Sequence, residues 1–81
     1  MLVTTRYYAA ASAAAGVDAE TIEVADGSTV RDLLAHCRGR HPGFGSALDR
    51  CSLLRDGLAL RPDTQLADGD TVDLVPPFAG G

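Results

Sequence analysis

The alternation of apolar and polar positions divides the chain into short pieces, each with its own period. Leu2 to Tyr8 is rich in β-branched and aromatic residues and reads as a first strand. Ala9 to Gly16 is alanine with a single serine, which predicts a short helical turn closed by Gly16. From Ala19 to Val24, the residues Glu20, Ile22 and Val24 alternate with Thr21 and Glu23, giving a second strand that Asp26-Gly27 breaks. The clearest helix follows. Ser28 or Thr29 can cap it, Asp32 suits its positive end, and Val30, Leu33, Leu34 and Cys37 recur at i, i+3, i+4 and i+7. Arg31, Asp32, His36 and Arg38 point elsewhere, and Gly39 and Pro42 are expected to stop the helix. Phe44 to Asp49 reads as a connector with Phe44 and Leu48 plugging the core. Cys51 to Arg55 is a third strand, Asp56-Gly57 a hairpin turn, and Leu58 to Leu60 the short return. Turns at Arg61–Thr64 and Asp68–Asp70 lead to a last strand, Thr71 to Val75, with Val72 and Leu74 on one face. Pro76-Pro77 ends it, because neither residue can donate to a ladder.

One helix needs a broad apolar surface to cover, so the two N-terminal strands and the last strand must share a sheet. The result is an α+β two-layer fold, a mixed sheet of four to five strands packed on one main helix. The element order is that of the β-grasp, in which the first and last strands pair in parallel across the middle of the sheet. Residues 1–75 form the domain and residues 76–81 a flexible tail.

Composition narrows the function. An 81-residue chain makes one small domain. At this size about 60% of the unfolded surface is buried on folding, which leaves little room for a cofactor-sized cavity. The net charge is −4, and all seven basic residues are arginine. That argues against a nucleic-acid partner, which needs a basic face, and against lysine chemistry. No run reaches a membrane span, and the N-terminus lacks a signal-peptide pattern. Cys37 and Cys51, without CxxC spacing, read as reduced thiols in a cytoplasmic protein, and no metal site is expected. Cys37 falls on the core stripe as a small hydrophobe. His36, His41, Arg38, Arg40 and Arg50 read as solvated.

The chain ends Pro76-Pro77-Phe78-Ala79-Gly80-Gly81. The prolines stiffen the exit from the domain, and six extended residues reach about 20 Å. The last two residues have no side chain, so the tail can thread a narrow channel and bring an α-carboxylate to a buried centre. A carboxylate becomes an acyl donor only when activated, usually as an acyl phosphate or adenylate. A sulfur nucleophile then gives a thioester or thiocarboxylate. Partners must supply that chemistry, because the chain shows no catalytic pair of its own.

On these residues the sequence resembles the ubiquitin-like sulfur carriers, and within them the small subunits of molybdopterin synthase. The resemblance is carried by Leu66–Val72 and Leu74–Gly81, by Ser28–Leu34 at the helix start, and by Arg6–Ala9 at the end of the first strand. It implies that an E1-like adenylyltransferase uses ATP and magnesium to adenylate Gly81, with no cofactor bound by the carrier itself. A sulfur donor enzyme then converts the adenylate to a thiocarboxylate. It also implies that the tail, Pro77, Phe78, Ala79 and Gly80, threads into the large subunit of molybdopterin synthase and delivers sulfur to a pyranopterin. Partner contacts in the family use an apolar patch on the exposed sheet face, at positions matching Tyr8, Leu60 and Val75. Val75 also follows from the residues alone, since its parity is opposite to that of Val72 and Leu74. The alanine-rich stretch Ala9–Ala15 departs from the charged or mixed segment common in the family.

Other readings remain open at this point. Similar Gly-Gly carriers serve thiazole, cysteine and specialised-metabolite pathways. A non-covalent β-grasp interaction module would tolerate a blocked C-terminus. An acyl carrier protein of this size would be a helical bundle with a serine in an Asp-Ser-Leu context, whereas Ser46 sits in Gly45-Ser46-Ala47.

Overall fold

The computed structural model describes residues 1–45 and 47–77. The tail positions Phe78, Ala79, Gly80 and Gly81 lie outside the described residues.

The first strand, β1 (Leu2–Tyr7), is followed by a short helix, α1 (Ala10–Ala15), and then by β2 (Ala19–Glu23). Gly16 closes α1 in the left-handed conformation, φ 78°, and donates its N–H to Ser12 O at 2.9 Å. No side chain caps the start of α1. The residue there is Ala9, at φ 50° and ψ −124°, a region that costs a residue with a Cβ. Ser12 Oγ donates to Asp18 Oδ1 at 2.5 Å and ties α1 to the approach of β2.

The main helix, α2 (Val30–Arg40), is capped by Thr29. Thr29 Oγ1 accepts from the Asp32 N–H at 3.3 Å, and Asp32 Oδ2 accepts from the Thr29 N–H at 2.8 Å, a reciprocal capping box. The backbone N–H of Thr29 is the chief reason the Asp32 carboxyl sits below the usual carboxylate range. Val30, Leu33 and Cys37 are buried and Leu34 half-buried, as the i, i+3, i+4, i+7 spacing predicts. Gly39 does not stop the helix. It lies in open space within the last turn, and the His41 N–H still reaches Cys37 O at 2.9 Å. The stop falls at Pro42, which opens a 3₁₀ turn, Pro42–Phe44.

The expected connector is more regular than its sequence suggests. The 3₁₀ turn and a one-turn helix, α3 (Ala47–Arg50), present Phe44 and Leu48 to the core, where both are buried. β3 (Ser52–Arg55) and β4 (Leu58–Ala59) form the hairpin, with Asp56 at φ 54° and Gly57 at φ 79°. Two consecutive positive φ values are what a two-residue type I′ turn requires. Cys51 lies just outside β3, and Leu60 just outside β4.

The last strand, β5 (Thr71–Val75), enters the middle of the sheet, whose order is β2-β1-β5-β3-β4. It runs parallel to β1, pairing Thr5 with Val72 and Tyr7 with Leu74, and antiparallel to β3. Its even-numbered residues Val72 and Leu74 are fully covered by the helical layer. Burying each contributes about 1.5–3 kcal/mol relative to exposure. The fold is therefore α+β, a five-stranded mixed sheet on one main helix, with the first and last strands side by side at its centre.

Candidate functional site

The outer sheet face and the root of the tail are positioned by strand parity. With Val72 and Leu74 turned to the helices, Thr71, Asp73 and Val75 face away from them. Residues paired across strands share a face, so Arg6, Ala19 and Leu54 join Asp73, and Ser52 joins Val75. Ala59, paired with Leu54, extends the same row. The Tyr8 N–H donates to Leu74 O at 3.2 Å and carries the β1–β5 register one step further, which sets Tyr8 beside Val75. Tyr8 is 40% exposed. Val75 is half-buried rather than open, because both of its flanks are occupied by paired strands.

Leu60 is elsewhere. Its N–H donates to Leu53 O at 2.7 Å, which continues the hairpin register. Leu53 in turn pairs with the buried Leu74, so Leu60 lies on the helix side, half-buried against the core near Leu34 and Leu48. Of the three positions read for the sheet-face patch, the structure brings Tyr8 and Val75 together and separates Leu60. The apolar residues at that end of the outer face are instead Leu54 and Ala59. Their signal was the i, i+2 parity from Ser52, but it needs the hairpin register before it can be read.

Pro76 and Pro77 continue β5 into a shallow groove lined by Ala10, Phe44, Ala47 and Arg50. Pro76 is half-buried and Pro77 exposed. The tail thus leaves from the central strand, beside α1 and α3, with its first two residues stiffened against folding back into a ladder.

A polar cluster sits under the β2 edge of the sheet. Glu20, on β2, faces inward with Ile22. Its carboxylate accepts from Tyr7 Oη at 2.8 Å and Arg40 Nε at 2.7 Å, and it meets His41 Nε2. An ionised carboxylate only accepts, so the ring proton is on Nε2. Burial pulls the Glu20 carboxyl upward, but hydrogen bonds from His41, Tyr7 and Arg40 outweigh it and hold the group below its ordinary range. Tyr7 Oη also accepts from Thr5 Oγ1 at 3.1 Å and lies 3.6 Å from Cys37 Sγ. Burial raises the Tyr7 phenol well above its ordinary value, so it stays neutral. His41 is therefore not the solvated residue its sequence suggests: it is half-buried, edge-on to Tyr7 and Phe44. Arg40 and Arg38 are likewise paired, with Glu20 and Asp49. His36 and Arg50 are exposed.

Neither cysteine has the surroundings of a nucleophile. Desolvation raises the thiol pKa of both the buried Cys37 and the half-buried Cys51. Among the described residues, no three His, Cys, Asp or Glu side chains gather as a metal site. No described helix is long and apolar enough to cross a membrane.

Comparison with known proteins agrees with this architecture. The molybdopterin synthase sulfur carrier subunit of Chlamydomonas reinhardtii is 35% identical over 83 residues, covering all of both chains. Among solved structures, SAMP1 from Haloferax volcanii superposes with a TM-score of 0.92 at 28% identity, over the full length of both chains. A proposed molybdopterin converting factor, subunit 1, from Pyrococcus furiosus gives 0.85 at 34% identity, covering 96% of this chain and 99% of that one. These neighbours share the ubiquitin-like β-grasp fold. The model of the ThiS family matches residues 5–81. That match runs from the middle of β1 through β5 to the Gly-Gly tail, and the chain belongs to the ThiS family.

Proposed function

We propose that the chain is a sulfur carrier for molybdopterin biosynthesis, the small non-catalytic subunit of a molybdopterin synthase working in the cytoplasm. Residues 1–75 act as a handle recognised by enzymes. Residues 76–81 carry the one reactive group, the carboxylate of Gly81. A carboxylate oxygen of Gly81 attacks the α-phosphorus of ATP on an E1-like adenylyltransferase with magnesium, and pyrophosphate leaves. A persulfide sulfur of a donor enzyme displaces AMP to give an acyl disulfide, and a second thiol then attacks the donor enzyme's own sulfur, forming a disulfide there and releasing the thiocarboxylate. The tail then enters the large subunit of the synthase and hands the sulfur to a pyranopterin.

The observation that carries this reading is the course of β5. The strand at the centre of the sheet runs without a break into Pro76-Pro77, so the tail is rooted in the most constrained part of the domain. The full-length likeness to the algal sulfur carrier subunit supports the choice of pathway. Tyr8 and Val75, flanking that root on the outer face, serve as partner contacts. Pro77, Phe78, Ala79 and Gly80 are the residues that thread.

Deleting Gly81 tests it. The truncated chain is expected to fold normally yet receive no sulfur when incubated with the activating enzyme, ATP and a sulfur source. The readout is an alkylating reagent selective for thiocarboxylates, followed by intact mass. Thiocarboxylate formation on the truncated chain would refute the proposal.

A further inference from the structure

The outer sheet face carries a feature that an apolar docking patch does not need. Arg6 and Asp73 face each other across the two central strands, Nε to Oδ1 at 2.6 Å and Nη2 to Oδ2 at 3.0 Å, a two-pronged ion pair. The row around it is otherwise apolar. Ala19 flanks Arg6, Leu54 flanks Asp73, and Tyr8 and Val75 lie one step nearer the tail. The two partners are unequally covered, since the Asp73 side chain is 17% exposed and that of Arg6 51%. The carboxylate is the inner, satisfied partner and the guanidinium the outer one. A guanidinium has five N–H donors. Asp73 takes two of them, and among the described residues no other acceptor meets Arg6.

In the free protein, water satisfies the remaining donors. A partner that covers this face removes that water. A purely apolar surface would leave buried N–H groups unpaired, and a basic one would confront a fixed positive charge. A carboxylate instead matches the open edge of the fork with short, charge-assisted bonds. We infer that Arg6 reads an Asp or Glu side chain of the partner docked on this face, and that Asp73 is the positioning residue that aims it. The chain's overall charge of −4 opposes an acidic partner only at long range. Beyond about 8 Å such charges are screened at physiological salt, so the contact at Arg6 decides the match.

The inference rests on the carrier reading for the identity of the partner, the adenylating enzyme of the same organism. Two double variants keep Arg6 and Asp73 mutually paired: the exchange Arg6→Asp with Asp73→Arg, and the neutral pair Arg6→Gln with Asp73→Asn. Affinity for the purified enzyme is measured by calorimetry at low and physiological salt, with folding checked by circular dichroism. The exchange is expected to weaken binding at least about tenfold and the neutral pair about fivefold, the neutral pair also losing part of the salt dependence of the wild type. Either folded variant binding within about twofold of the wild type would overturn the inference. Should the exchange fail to fold, the neutral pair decides alone. A wild-type chain that the enzyme does not adenylate removes the carrier reading and this inference together. A wild-type chain that is adenylated, beside variants of unchanged affinity, removes this inference only.

Discussion

The Glu20 cluster makes a quantitative demand on stability. Glu20→Gln keeps the volume and one acceptor oxygen but removes the charge that three side chains converge on. Arg40 is about half exposed, so its pair with Glu20 contributes only about 0.5 kcal/mol. The contact with His41 joins two side chains that are 12% and 16% exposed, and a hydrogen bond to a charged group there is worth about 1.5 kcal/mol. Weakening the Tyr7 bond from charged to neutral adds about 0.5–1 kcal/mol. The sum is about 2.5–3 kcal/mol, and for a domain of this size each kcal/mol lowers Tm by about 6 °C, giving a drop of about 15 °C at pH 7. The pH dependence has a definite sign. The folded carboxyl titrates below its unfolded value, so its stabilisation is complete above about pH 4.3 and is lost as pH falls through the folded value. The difference between wild type and Glu20→Gln should therefore shrink steadily from about pH 4 downwards. Thermal unfolding followed by circular dichroism across that range measures it. A difference below about 0.5 kcal/mol at pH 7, or one that persists undiminished at about pH 3, would refute the account of the cluster.

Two substitutions probe the site side of the molecule. Val75→Asp places a charge on the half-buried outer row beside Tyr8. It is expected to weaken binding to the activating enzyme at least about tenfold while the circular dichroism spectrum stays native, and unchanged affinity would remove Val75 from the contact surface. Ala9→Gly relieves the positive φ at the start of α1. Strain of about 1 kcal/mol or more is released against about 0.4–1 kcal/mol of added chain entropy in the unfolded state, so Tm should rise by up to a few degrees rather than fall.

Much of the architecture was legible because local signals and burial agreed. The stripe through Val30, Leu33 and Cys37, the Asp56-Gly57 turn and the alternation of Val72 and Leu74 each required one period and one partner layer, and the structure supplies both. The failures share a different character. Gly39 is a poor helix residue, yet α2 runs through it because nothing crowds that turn and Pro42 does the stopping. Leu60 matches a family position for the outer face, but its side is decided by a pairing with Leu53 that spans the hairpin. Glu20 already falls in phase with Ile22 in sequence, so its inward direction was readable. Its partners were not, since Tyr7, Arg40 and His41 come from two other elements and their meeting depends on how β1 and the end of α2 pack. The Arg6–Asp73 pair is hidden for the same reason, as its members are 67 residues apart.

The central place of β5 also bears on damaged chains. A nascent chain cut short before Thr71 lacks the strand that joins β1 to β3, so it has no continuous sheet and goes to cellular proteases. A chain clipped only within residues 76–81 keeps every strand, and would still occupy the docking sites of its partners while delivering nothing. On the carrier reading, loss of one or two terminal residues is thus the more harmful injury, because it makes a competitor where a larger truncation makes only debris.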